Sequence, residues 1–232
     1  MSRLPRTLRY YLAFVWIAGL LTWSASWLLS FDQRALSWPL LAMLLIALIA
    51  AQNLPRHISR GVKLAPDTIP LFLAVLCLPV SAAVNLALIG VGTAQFLRRR
   101  PWYEAGFNVG CSVLGVFVGG ALYAGLTLLG GSWGAAPGAL LAAAAFYLVN
   151  SSLVAGAVAA QHHLPYNHIW REVAGSEPLN HVLMFLTGGL LALPWAWKPA
   201  IAGLLLVGVV MRLVEGRPQK INVPGTSPMS GT

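Results

Sequence analysis

Charge is scarce in this chain. Asp, Glu, Lys and Arg make up 9% of its 232 residues, against about 25% in an ordinary soluble domain. With 58% of the residues hydrophobic, that scarcity excludes a water-soluble fold. Carboxylates are scarcest of all. The six acids (Asp32, Asp67, Glu104, Glu172, Glu177, Glu215) fall in polar joints or at the ends of apolar runs. No run carries an acid at its centre, where proton- or ion-coupled carriers place one. Cysteine is limited to Cys77 and Cys111, both in apolar segments, where small buried residues are expected. Five histidines are present, at 57, 162, 163, 168 and 181, but no HExxH, no Cys–His pair and no acid at ligand spacing accompanies them. No metal and no cofactor is therefore expected. No Ser, His and acid stand in a triad-like arrangement, and no glycine loop is built to cradle phosphate. The chain is expected not to be an enzyme, and no internal repeat is apparent.

What the chain has is apolar length. Runs near 20 residues recur, each able to cross a hydrocarbon layer of about 30 Å. The expected class is an all-α polytopic membrane helix bundle: a single integral domain over 10–214, a basic arm over 1–9 and a disordered tail over 215–232. Tyr10–Ser30 is too long for a signal-peptide core and reads as a retained span. Trp23, Trp27 and Trp38 gather near its far end as an interfacial belt. Leu36–Ala51 is the second span, with Pro39 in its first turn. Ile69–Phe96 is broken at Leu78-Pro79, because the residue before a proline is pushed out of helix. Tyr103–Leu129, Gly138–Gln161, Leu179–Pro194 and Pro199–Leu213 complete the set. The Gly130–Pro137 segment is an external turn, and 162–178 is a cytoplasmic loop.

The cations orient the chain. The net charge of +9 points to topology and not to nucleic acid, because nearly all the cations lie between apolar runs. If Ile69–Phe96 returns to the side it started from, 13 of the 15 Lys and Arg residues share the N-terminal side, leaving Arg34 and Lys198 opposite. If it crosses once, the count falls to 7 against 8. Positive residues favour the cytoplasmic side. The expectation is six full spans plus a short broken hairpin at Pro79, with both termini cytoplasmic.

Polar residues inside apolar runs are the candidate site. Asn85 lies in the returning half of the hairpin, as does Gln95. Asn108 follows Gly106, Asn150 and Ser151 sit mid-span, and Asn180 opens a later span beside His181. Amides in hydrocarbon must find partners. They either form a pocket for a small polar ligand or act as interhelical glue, with Asn108 and Asn150 the first choice for a facing pair. Gly106-x-x-x-Gly110 and Gly115-x-x-x-Gly119 fall on opposite faces of one helix, so that helix belongs in the middle of the bundle. Arg98, Arg99 and Arg100, with Arg171, are candidates for lipid phosphates or an acidic partner surface. Glu104, one turn from the three arginines, is expected to form a surface ion pair.

The Arg98–Arg100 run entering Pro101-Trp102-Tyr103, then Phe107-Asn108, then Ala145-Phe146-Tyr147-Leu148-Val149-Asn150, resembles the multi-span N-terminal sensor regions of bacterial cyclic-di-nucleotide signalling proteins. In those, an HD-type or GGDEF-type domain follows the membrane part; no output domain is expected here. A fainter likeness is to the substrate-binding membrane subunits of energy-coupling-factor transporters. Both resemblances imply a module of the bacterial inner membrane that binds a small molecule and reports or delivers it to a cytoplasmic or membrane protein partner. The expected function is a non-catalytic sensor-like module. The alternatives are a subunit of a small-molecule transporter and a scaffold subunit of a membrane complex.

Overall fold

The computed structural model describes residues 4–28, 34–53, 57–59, 62–63, 66–176 and 178–192. Over these the chain is helical, apart from a small antiparallel β-hairpin of β1 (His57–Ser59) and β2 (Val62–Lys63). The helices are α1 (Arg6–Leu28), α2 (Trp38–Asn53), α3 (Thr68–Cys77) and α4 (Val80–Leu97). They continue as α5 (Trp102–Gly131), α6 (Trp133–His162), α7 (Tyr166–Ser176) and α8 (Pro178–Ala192). Four of them, α1, α4, α5 and α6, are long and apolar enough to cross a membrane. With 16 and 15 residues, α2 and α8 are shorter. The expected span Pro199–Leu213 and the tail over 215–232 lie outside the described residues.

Leu78 leaves the helix with φ −113° and ψ 155°, and Pro79 follows at φ −54° and ψ 147°. The proline forces this break. Asp67, which caps α3, and Gln95, near the end of α4, both hydrogen-bond Gln52. The two ends of the broken segment therefore lie level with each other, and the chain doubles back at Leu78-Pro79. The hairpin is unequal, which corrects the expectation of two short pieces. At 10 residues α3 is short, but α4 has 18, about 27 Å of helix at 1.5 Å per residue. Arg34 secures the C-terminal end of α3. Its guanidinium donates to the carbonyls of Val75 (2.7 Å) and Leu76 (3.1 Å) and lies over the Tyr123 ring. A cation suits the negative end of a helix.

Helices α5 and α6 form a long antiparallel pair. Gly131, at φ 55°, supplies the turn alone; only glycine adopts that geometry without strain. The eight-residue turn expected at Gly130–Pro137 is thus tighter, and Pro137 sits inside α6. Helix α5 does stand between neighbours. A Cβ on Gly110 would lie 2.9 Å from Val15 Cγ1 on α1, and Gly19 lies directly opposite it. On its other side, a Cβ on Gly119 would lie 3.2 Å from the Ala142 carbonyl of α6, and Gly115 meets Phe146. Helix α1 runs antiparallel to α6, with Thr7 on the Ala160 carbonyl and Tyr11 on that of Leu153. It begins at Arg6, so Arg6 and Arg9 are helical residues.

The main core gathers around α3 and α4. Val75, Leu78, Val80, Val84, Leu86 and Val91 are all at most 2% exposed, joined by Leu44 and Leu48 of α2 and Val113 and Val116 of α5. The segment 162–178, expected to be a loop, instead carries α7. Ile169, Trp170 and Val173 pack on Ala155 and Ala159 of α6, while His168, Arg171 and Glu172 stay exposed. That spacing of apolar residues makes one helix face. The helix is pinned by Trp170 Nε1 donating to Ser152 Oγ at 3.1 Å and by the Tyr147 hydroxyl on the Ala174 carbonyl.

Candidate functional site

A line of amides crosses the bundle from α5 to the start of α3. Asn108 Nδ2 donates to Gln95 Oε1 at 3.2 Å. Gln95 Nε2 donates to Gln52 Oε1 at 3.3 Å. Gln52 Nε2 in turn donates to Asp67 Oδ2. Gln52 and Gln95 are 3% and 2% exposed, so the middle of this polar chain is inside the protein, while its Asn108 end is exposed and Asp67 is half-buried. Each link joins a different pair of helices, and a buried polar chain is stable only when its members are paired.

The line forms one wall of a cavity of about 160 Å³. Asn108, Cys111 and Ser112 of α5 border it, Phe146, Asn150 and Val154 of α6 face it, and His181 of α8 closes one side. The His181 ring lies 4.9 Å from that of Tyr147. Drug-sized pockets measure about 300–1,000 Å³, so this space suits a small polar molecule or a few waters.

The sequence-derived candidates separate clearly. Asn108 and Asn150 border the same cavity. Asn85 does not; its Oδ1 accepts from Trp23 Nε1 at 3.0 Å and its Nδ2 donates to the Ser81 carbonyl at 2.7 Å. It ties α4 to α1 as glue. Ser151 is buried at 4% exposure and does not line the cavity. Asn180 falls on α8, and its side chain lies outside the described residues.

Arg98, Arg99 and Arg100 form the turn between α4 and α5. Arg99 adopts φ 52°, and the Arg100 amide closes the turn on the Gln95 carbonyl. Such a left-handed residue is a common helix ending, here without the usual glycine. Arg100 pairs with Glu104 at 3.4 Å, both well exposed, as expected for a surface ion pair. Arg171 is exposed on α7. Among the described residues no group of three His, Cys, Asp or Glu side chains could hold a metal. His163 ends α6 in a left-handed conformation and is exposed, apart from cavity-lining His181.

The residues missed by sequence reasoning are Gln52 and Asp67. Both stood in what reads as a polar joint after the second span. The available signal was Asp67-Thr68-Ile69-Pro70, an acid just ahead of a helix with proline in its first turn. No protein-family model, no curated protein and no solved structure matches this chain.

Proposed function

We propose that the protein is a membrane-embedded, non-catalytic module that binds a small polar ligand between α5, α6 and α8 and passes its state to a protein partner. The single observation that carries this reading is the cavity bordered by Asn108 and Asn150 and walled by an amide line whose two glutamines are buried. Irregular backbone at membrane depth is tolerated against protein or a cavity, and the broken α3–α4 hairpin lies against both. In the proposed orientation both termini are cytoplasmic, in the inner membrane of a bacterium. The remaining full spans among the described residues are α2 and α8, beside α1, α5 and α6. Arg98–Arg100 and the exposed face of α7 with Arg171 then share the cytoplasmic side. There they offer a cationic surface to an acidic partner or to lipid phosphates. The sensor-like resemblance supports this arrangement.

The test is thermal-shift screening of small neutral polar compounds against wild type, Asn108→Leu and Asn150→Leu. A stabilising compound is expected to lose its effect in both variants. Stabilisation that survives both removes the proposed site. Uptake of that compound into vesicles would replace the sensing reading by a transport one.

A further inference from the structure

The direction of the amide line specifies more than the presence of a site. Resting on the ligand-binding reading above, we infer that the cavity selects small molecules that present N–H or O–H donors and rejects isomers that present acceptors alone. An ionised carboxylate can only accept hydrogen bonds. Gln52 must therefore turn its NH2 toward Asp67, which it does. That leaves Gln52 Oε1 to receive the Gln95 amide, and Gln95 Oε1 to receive Asn108 Nδ2. The sense of every amide is thus fixed from the Asp67 end. Asn108 spends a donor on Gln95, its one side-chain hydrogen bond among the described residues. Its Oδ1 is left for the cavity that it borders together with Asp67. At its α5 end the line therefore presents an acceptor, Asn108 Oδ1, while the oxygens of Gln52 and Gln95 are engaged within the line. Asn150 and His181, across the space, each carry a donor and an acceptor, so they accommodate a ligand's second group without setting the preference.

Three isomeric amides of equal heavy-atom count form the probe: propanamide with two N–H bonds, N-methylacetamide with one, and N,N-dimethylformamide with none. Their affinities for the full chain in detergent are read by ligand-detected NMR titration. Wild type is expected to rank them in that order, with propanamide about 5–10-fold tighter than N,N-dimethylformamide, the equivalent of about one net hydrogen bond. Asp67→Asn lets the whole line invert, turning the Asn108 NH2 into the cavity, and is expected to flatten or reverse the ranking. Asn108→Asp keeps acceptor oxygens at that position; Gln95 must then turn its NH2 toward them and give up its bond to Gln52. It is expected to retain the ranking, and it carries the test should Asp67→Asn fail to fold. Wild-type binding of N,N-dimethylformamide equal to or tighter than that of propanamide overturns the donor preference and leaves the pocket standing. A ranking unchanged in Asp67→Asn, or lost in Asn108→Asp, overturns it equally. Failure of all three isomers to bind wild type saturably at millimolar concentration overturns the pocket, and the inference with it.

Discussion

The seam between α5 and α6 is closed at one end and open at the other. Toward Gly131, Gly115 and Gly119 let α5 approach Phe146 and the Ala142 backbone within van der Waals contact. Two to three turns away, Asn108 and Asn150 on the same two helices border a cavity instead. Both ends belong to one helix pair and one apolar environment. The difference lies in side-chain size and polarity. Small residues let backbones meet, which drives packing where lipid supplies no hydrophobic force. Amides must keep hydrogen-bond partners, and here they line the cavity instead of closing the seam. The comparison teaches that α5 carries its packing and its proposed binding on separate stretches.

The largest expected effect attacks close packing. Gly110→Val would push a side chain into Val15 and its carbonyl. It is expected to destabilise the fold by about 3 kcal/mol, at the upper end for overpacking, measured by thermal denaturation in detergent. Wild-type stability would show that α1 is not held through this contact. Next comes the polar line. Gln95→Leu leaves Gln52 and Asn108 each short of a partner and should cost about 1–3 kcal/mol. Adding Gln52→Leu should cost less than a second full increment, since the pair shares one interaction; strict additivity contradicts the line. Arg34→Gln removes the cation from the α3 carbonyls and from the Tyr123 ring. About 1–2 kcal/mol is expected, with chemical unfolding as the readout. The smallest effect is Glu104→Gln, at most about 0.5 kcal/mol, because the Arg100 pair is solvent-exposed.

Much of this arrangement was readable in the residues. The break at Pro79 follows from a local steric rule, and the two glycine faces of α5 from helical periodicity alone. The four long helices announce themselves by apolar length. What escaped needed tertiary contact. Asp67 reads as a loop acid because its partner Gln52 lies on another helix, and nothing local to either residue reveals the meeting. The segment with α7 reads as a loop because its apolar residues are few. Ile169, Trp170 and Val173 make a face only when α6 is there to receive it. Asn85 and Asn108 have the same side chain and similar surroundings in sequence. One is consumed by Trp23 and the other borders the cavity, a distinction set by which neighbour faces each.

The most direct test of the open-and-closed seam is thiol labelling in a background of Cys77→Ser and Cys111→Ala. Asn150→Cys at the cavity is expected to react readily with a small, water-soluble methanethiosulfonate reagent. Ala142→Cys, on the same helix where Gly119 closes against it, is expected to stay unmodified until the protein is denatured. Labelling of Ala142→Cys as fast as Asn150→Cys, or silence at Asn150→Cys in the folded protein, would contradict the account.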